Sequence, residues 1–170
     1  MSKKDTNTID THNLLLHFGD WTKEVPENEL LICISIALNH CVCDKKIKIK
    51  GYLITATTLY LVMTSYKDSL KLALEFLSEQ ITLSVDAHLK HIQHANGNKI
   101  FNSSNQNKMF TMHQLQDYDL IKLITGKDVK LSYHNPRIAY FKKITHTYKY
   151  CSVSDYKGVL GPVIVDTTQK

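Results

Sequence analysis

The stretch KIKIKGYLITATTLYLVM, residues 46–63, decides the fold. Its first half alternates lysine with isoleucine, so a strand with a side-chain period of two presents three lysines on one face: Lys46, Lys48 and Lys50. After a break at residues 55–57, a second run of β-forming residues covers residues 59–63. The two runs predict a β-hairpin, which we expect to form the middle of a sheet.

The residues before this hairpin predict a tail, a strand and a helix. Residues 1–11 indicate a flexible tail, and the apolar run NLLLHF at residues 13–18 favours a first strand. Residues 26–29, PENE, combine a proline with acidic residues, as is typical of the first turn of a helix. The apolar stretch over residues 30–38 predicts a buried helix, although its periodicity leaves a buried strand open.

The residues after the hairpin predict a long amphipathic helix. Apolar side chains recur at three- and four-residue steps over residues 70–92, and a polar segment at residues 95–98 ends the pattern. We expect a further helix over residues 114–124 and a short strand over residues 163–165 in an otherwise irregular tail. Because no linker is long enough to separate two domains, residues 12–170 are predicted to form a single α+β domain.

The formal net charge of +5 is unevenly distributed along the 170 residues. Residues 1–44 hold three lysines and seven acids, whereas residues 45–170 hold eighteen lysines and arginines and nine acids. A basic body of this kind suits a polyanionic partner such as nucleic acid. Arg137 is the sole arginine, and this scarcity argues against base-specific reading of a DNA groove.

The composition predicts a cytoplasmic protein with no membrane association. The first ten residues are polar throughout, unlike a signal peptide. The longest apolar run, residues 30–38, is about half as long as a membrane crossing requires. Four cysteines without a dense or repeated spacing indicate reduced thiols rather than a disulfide framework.

Two motifs far apart in the chain resemble one known family. The first is GYLITATTLYLVM, residues 51–63, and the second is YHNPRIA, residues 133–139. The second is followed by a series of tyrosines and serines and a Leu-Gly pair: Tyr148, Tyr150, Ser152, Ser154, Tyr156, Leu160 and Gly161. In order and spacing, both resemble signatures of tyrosine transposases that act on single-stranded DNA, the His-hydrophobic-His type associated with insertion sequences and repetitive palindromes. The resemblance covers residues 28–161 and implies a ferredoxin-like antiparallel sheet packed by helices.

The resemblance also implies chemistry whose residues this chain lacks. In the family, two histidines on one strand bind a divalent metal, and a tyrosine on the following helix attacks the phosphate. The matching strand positions here are Thr58 and Tyr60, whose hydroxyls are poor metal ligands at neutral pH. The region expected to present the nucleophile, residues 67–95, contains no tyrosine. We therefore expect no catalysis and no cofactor. Tyr66 is a weak substitute nucleophile, and Mg²⁺ or Mn²⁺ would serve only an active enzyme.

Two other groupings of potential metal ligands are present in the sequence. The first consists of three histidines at a spacing of three: His88, His91 and His94. On a helix they spread over about 120° of the surface, too wide for three imidazoles to meet on one ion. The second consists of His40, Cys41 and Cys43, and it lacks a second cluster at zinc-finger spacing. We predict no metal site at either grouping.

Basic residues interleaved with aromatic residues near the C-terminus favour binding of a single strand, because rings stack on bases and lysines follow phosphates. Together with the three hairpin lysines, the candidate contacts are Arg137, Lys142, Lys143 and Lys149. Phe141 and Tyr148 are expected in the core. Arg137 is favoured as a residue that pins its own turn by hydrogen bonding over one that contacts DNA.

The function predicted from these features is binding of hairpin or single-stranded DNA or RNA by a protein derived from such a transposase. Two alternatives stay open. One is an active transposase or nuclease with substitute catalytic residues, and the other is a domesticated protein-interaction or regulatory module with a protein partner. A homodimer is compatible with the resemblance, because transposases of this kind often act as dimers.

Overall fold

The computed structural model describes residues 8–66, 69–96, 109–130 and 135–168, with the side chains of residues 92–96 excepted. Its strands are β1 (Ile9–Phe18), β2 (Lys48–Ile54), β3 (Thr58–Tyr66) and β4 (Phe110–Gln114). Its helices are α1 (Glu27–Lys45), α2 (Leu70–Asn96), α3 (Tyr118–Ile124), α4 (Pro136–Thr147) and α5 (Val153–Tyr156). A single turn of 3-10 helix, Asp20–Glu24, joins β1 to α1.

The four strands form one antiparallel sheet in the order β2-β3-β1-β4. Because α1 follows β1 and α2 follows β3, the chain order through β4 is βαββαβ. This order and this strand arrangement are those of the ferredoxin-like fold. The predicted fold class, an α+β ferredoxin-like antiparallel sheet packed by helices, is confirmed.

Helices α1 and α2 cover one face of the sheet and form the main core with it. The stretch over residues 30–38 is helical, as predicted, and buries residues such as Ile34 and Leu38 completely. The long helix is also confirmed, since α2 directs Leu77, Ile81 and Val85 into the same core at four-residue steps. Of the described helices, none combines the length and the apolar character that a bilayer crossing requires.

A second layer, built from α3 and α4, packs on the opposite face of the sheet. Leu53 and Val62 point to this face and are buried beneath Leu120 of α3 and Phe141 of α4. The sheet is therefore enclosed between two helical layers over part of its area. Helix α4 was not predicted, because the sequence analysis treated its first residues only as a motif.

The position of the β-hairpin differs from the prediction. β3 lies inside the sheet, but β2 forms an edge. Lys46 is not in the strand at all, because it ends α1 in a left-handed conformation with φ of 54°. The pairing of β2 with β3 also shifts register between Ile49 and Gly51. This bulge interrupts the strict alternation from which one continuous lysine face was predicted.

Two predicted boundaries and one predicted strand are wrong as well. β1 begins at Ile9, so the last residues of the predicted 1–11 tail belong to the strand. The helix predicted from residue 114 begins at Tyr118, since residues 110–114 form β4 and Asp117 caps the helix by accepting a hydrogen bond from the Leu120 N–H. Residues 163–165 are not a strand. The predicted polar loop at residues 102–107 lies outside the described residues.

The C-terminal segment closes the outer edge of β2. The Ile54 N–H donates to the Tyr150 carbonyl at 3.0 Å, and the Asp166 N–H donates to the Ile49 carbonyl at 2.8 Å. Between them, the buried Ser152 hydroxyl accepts from the Tyr52 N–H at 2.8 Å and lies 2.5 Å from the Ile124 carbonyl, to which it can donate. Ser152 thus ties β2 to the end of α3.

Replacing this hydroxyl should destabilise the fold. In Ser152→Ala, the Tyr52 N–H loses its side-chain acceptor in a site without water access, which we expect to lower the free energy of unfolding by about 1–3 kcal/mol. Urea denaturation followed by circular dichroism measures this change. Ser84→Ala, at a half-buried position of α2, is the control and should stay within about 0.5 kcal/mol of the parent. Equal effects of both substitutions would contradict the role given to Ser152.

Candidate nucleic-acid interface

Thr58 and Tyr60, the positions matched to metal ligands, share the sheet face that α3 and α4 partly cover. In the register of the sheet, Thr58 lies opposite His17 and Tyr60 lies opposite Leu15. Residues two apart on a strand point to the same side, so both hydroxyls lie on this face. The part of the face that carries His17, Thr111 and His113 remains exposed, and we call these three residues the open sheet face.

Thr58 is buried, with 5% of its surface exposed, and its hydroxyl is engaged within the protein. The hydroxyl oxygen lies 3.1 Å from Nδ1 of His17 and 3.3 Å from the hydroxyl oxygen of Thr57. A neutral hydroxyl in this setting is a weak ligand for a divalent metal. The geometry gives Thr58 the part of a hydrogen-bond partner for His17.

Tyr60 is half-buried at the junction of the sheet with α4. Its ring meets the Phe141 ring edge-on, with 5.8 Å between centroids. Burial raises the pKa of the Tyr60 phenol above its ordinary value, and the nearby Arg137 guanidinium acts in the opposite direction without cancelling this effect. The phenol therefore remains protonated at neutral pH, when it can donate a hydrogen bond but cannot serve as an anionic ligand.

Neither α2 nor Tyr66, the two candidate sources of a nucleophile, lies near Thr58 and Tyr60. Helix α2 packs on the sheet face opposite Thr58 and Tyr60, so it cannot present a side chain to them. Tyr66, the substitute nucleophile considered from the sequence, is eight residues from Thr58 on the same strand. At ~3.3 Å per residue, the two positions are about 26 Å apart.

Arg137 begins α4, where its side chain bridges elements. Its Nε lies 3.7 Å from an Asp117 carboxylate oxygen, and its guanidinium lies over the Phe141 ring at 5.6 Å. Asn135 caps the same helix by accepting from the Ile138 N–H at 3.3 Å. Neither contact of Arg137 is a hydrogen bond within its own turn, so the favoured role as a pin for that turn stays a prediction. The side chain is 61% exposed and accessible to a ligand.

Two of the three hairpin lysines, Lys48 and Lys50, are paired within the protein, and the third, Lys46, lies outside the strand, so the three do not form one free basic face. The ammonium groups of Lys48 and Lys50 lie 3.3 and 3.0 Å from the same oxygen of Asp166. Burial of Asp166 would raise its pKa, but hydrogen bonds from Thr168 and from the two lysines outweigh burial and lower the pKa well below its usual range. Lys48 and Lys50 neutralise a carboxylate that lies 118 and 116 residues away in sequence, respectively, which the sequence pattern could not reveal.

The lysines and aromatic residues of α4 and of the loop after it differ in exposure and in their contacts. Lys142 donates to the Val129 carbonyl at 3.3 Å, and Lys143 is exposed. Lys149 lies over the Tyr150 ring at 5.8 Å. Phe141 is buried, as expected, while Tyr140 is 62% exposed on the same helix. The exposed side chains Arg137, Tyr140 and Lys143 are called the α4 surface below.

The two helical layers differ in charge. Helices α1 and α2 together carry six acids and three lysines. Helix α4, across the sheet, carries one arginine, two lysines and no acid. With α3, which adds Asp119 and Lys122, this second layer holds four basic residues and one acid and is net basic, whereas the α1 and α2 layer is net acidic. A polyanion would meet a favourable potential on the side of α3 and α4.

The sequence analysis missed the pair formed by His17 and His113. Their rings lie 5.6 Å apart between centroids on neighbouring strands of the open sheet face. The predicted first strand, NLLLHF, already contained His17, but His113 could not be placed because β4 was not predicted. The two histidines are 96 residues apart in sequence, so no local motif contains both.

The ligand groupings noted in the sequence do not converge. His88 lies 3.5 Å from a Glu29 carboxylate oxygen, His91 is exposed, and the side chain of His94 lies outside the described residues. Cys41 is buried while Cys43 is exposed. Over the part of the chain that the structure describes, no group of three or more His, Cys, Asp or Glu side chains could hold a metal ion.

Comparison of the chain with protein-family models, with curated proteins and with solved structures finds no match. The resemblance to transposases therefore remains a prediction, and function has to be argued from the site.

The contacts of Asp166 with Lys48, Lys50 and Thr168 should make the stability of the fold depend on pH. Because the folded-state pKa of Asp166 is lowered, its contribution is present above the unfolded-state pKa near ~3.9 and is lost as the pH falls below that value. Asp166→Asn should lower the free energy of unfolding at pH 7 by about 1–3 kcal/mol and flatten the loss of stability below about pH 4. Urea denaturation at pH values from about 2 to about 8, which cover the titration of the carboxylate, tests both effects. An unchanged acid profile would refute the assignment.

Proposed function

We propose that this protein binds single-stranded or hairpin DNA or RNA through the α4 surface and the open sheet face, without cleaving it. The observation that carries the proposal is the charge difference across the sheet: the charged residues of α4 are one arginine and two lysines, whereas α1 and α2 together carry more acids than lysines. Lysine and arginine contacts to phosphates supply most of the affinity in non-specific nucleic-acid binding. The α4 surface offers two such groups, Arg137 and Lys143.

Exposed aromatic rings support a single strand as the ligand. Tyr140 is 62% exposed between Arg137 and Lys143 on α4, and Tyr118 is 76% exposed at the start of α3. Bases of a single strand or a hairpin loop can stack on such rings, whereas bases inside a duplex cannot. Each stacked base contributes about 1–3 kcal/mol. The ligand class follows from this combination of rings and cations.

The proposed lack of cleavage is supported by the positions and the hydrogen bonding of the hydroxyl groups of Thr58, Tyr60 and Tyr66. Thr58 is buried and hydrogen-bonded to His17, burial raises the pKa of the Tyr60 phenol further above neutral pH, and Tyr66 lies at the far end of β3. Descent from a single-strand tyrosine transposase would explain the fold together with this loss. The four cysteines are free thiols, the form that a reducing compartment such as the cytoplasm maintains.

Substitutions on the α4 surface should weaken binding, and an equal charge change elsewhere should not. We expect Lys143→Glu to reduce affinity and to lower the slope of log K against log salt by about 0.7, the value for one phosphate contact on a single strand. Tyr140→Ala should cost about 1–3 kcal/mol. Fluorescence anisotropy with labelled single-stranded and hairpin oligonucleotides, repeated at several salt concentrations, measures both.

The matched control is Lys90→Glu, which makes the same charge change at an exposed position of α2 behind the sheet. Its affinity should stay close to that of the parent protein. Equal losses for Lys143→Glu and Lys90→Glu would show that net charge alone matters. Binding that is absent, or indifferent to salt, would refute the proposal and favour the protein-interaction alternative, which recovery of a single protein partner without nucleic acid would support.

Incubation with hairpin DNA and Mg²⁺ or Mn²⁺ should produce neither cleavage nor a covalent protein–DNA adduct. Denaturing gels of the reaction test this directly, because a phosphotyrosine link survives denaturation. An adduct that is lost in Tyr66→Phe or Tyr140→Phe would establish the active-enzyme alternative and identify its nucleophile.

A further inference from the structure

His17 and His113 form a cross-strand pair with the dimensions of a two-imidazole metal site. His17 lies opposite Thr111 in the sheet and His113 lies opposite Leu15, so the two histidines are diagonal neighbours on one face. Their ring centroids are 5.6 Å apart and the ring planes meet at 67°. Two imidazoles bound at ~2.0–2.1 Å to one ion with a roughly tetrahedral angle place their centroids about 5–6 Å apart.

The surroundings of His17 suit a metal ligand. Nδ1 lies 3.1 Å from the Thr58 hydroxyl oxygen, which in turn lies 3.3 Å from the Thr57 hydroxyl oxygen. If Nδ1–H donates to Thr58 and Thr58 donates to Thr57, the lone pair of the His17 ring is held on Nε2. Histidines that bind metals nearly always donate their second ring nitrogen in this way, which fixes the tautomer and orients the ring.

We propose that His17 and His113 bind a late first-row divalent transition-metal ion, of the class of Zn²⁺, Ni²⁺ and Cu²⁺, with Thr58 as the positioning residue behind His17. Both imidazoles are exposed, so the ion can enter without a change in the fold. Their side-chain neighbours on this face are uncharged, and include Asn13, Leu15, Thr58, Tyr60 and Thr111.

The proposed metal site leaves coordination positions free for external ligands. Since the described residues offer no third histidine, cysteine or carboxylate within reach, the protein supplies two ligands, and external ligands complete the coordination. Imidazole ligands favour Cu²⁺, Ni²⁺ and Zn²⁺ over the hard cations Mg²⁺ and Ca²⁺, which prefer oxygen. The inference does not rest on the proposed function, because the metal alone is the ligand and no nucleic acid takes part.

Isothermal titration of the full chain with Zn²⁺, Ni²⁺ and Mg²⁺ tests the site. We expect binding of Zn²⁺ and Ni²⁺ and none of Mg²⁺. His17→Ala and His113→Ala should each weaken binding by at least about 10-fold, and Thr58→Val by about 10-fold, as expected for loss of a ligand or of its hydrogen-bond partner. His91→Ala, at an exposed histidine of α2, is the control and should bind like the parent protein.

A second readout does not depend on any variant. Nitrogen-15 spectra of the imidazoles should show His17 in the Nδ1–H form without metal, and Cu²⁺ should first broaden the signals of His17 and His113. In Thr58→Val, the tautomer should shift toward Nε2–H. Uniform broadening of all histidines, or loss of binding in His91→Ala rather than in His17→Ala, would overturn the proposal. Unchanged binding in the His17→Ala, His113→Ala double variant would do the same.

Discussion

Burial of β3 on both of its faces is the constraint on which the rest of the molecule depends. Leu59, Leu61 and Met63 face α1 and α2, while Val62 and the half-buried Tyr60 face α3 and α4. A strand buried on both sides needs a helical layer on each side, because its apolar groups gain stability only when they are removed from water. The second layer reaches only part of the sheet, and its edge exposes the candidate interface.

The parts of the fold that follow from local periodicity could be predicted from the sequence. Helix α2 has a clear three- and four-residue repeat, and the hairpin has two β-forming runs with a break between them. β4 was not found in this way, because its alternation is only two apolar residues long, Phe110 and Met112, and four of its five residues are exposed. Its place is fixed by pairing with β1, which is a long-range interaction.

For the candidate site, the sequence could indicate which residue types are present, but not which side chains lie together in the structure. The sequence around α4 indicated lysines among tyrosines, since charge and aromatic content need no partner to be recognised, but it could not show which of them are exposed. Tyr140 and Lys143 are exposed, whereas Tyr148 and Tyr156 are half-buried. The roles of Lys48 and Lys50 were missed, because Asp166 reaches them only after the C-terminal segment folds back along β2. The histidine pair was missed for the same reason, as His17 and His113 meet across two strands.

The return of the C-terminal segment along β2 also bears on how the protein avoids self-association. A bare edge strand presents unpaired N–H and C=O groups that can recruit a strand from another molecule. Here Ile49, Tyr52 and Ile54 already use outward backbone groups in hydrogen bonds to residues 150–166 of the same chain. The segment thus acts as an internal guard against edge-to-edge polymerisation, and a nick by a protease within it would expose a template for aggregates.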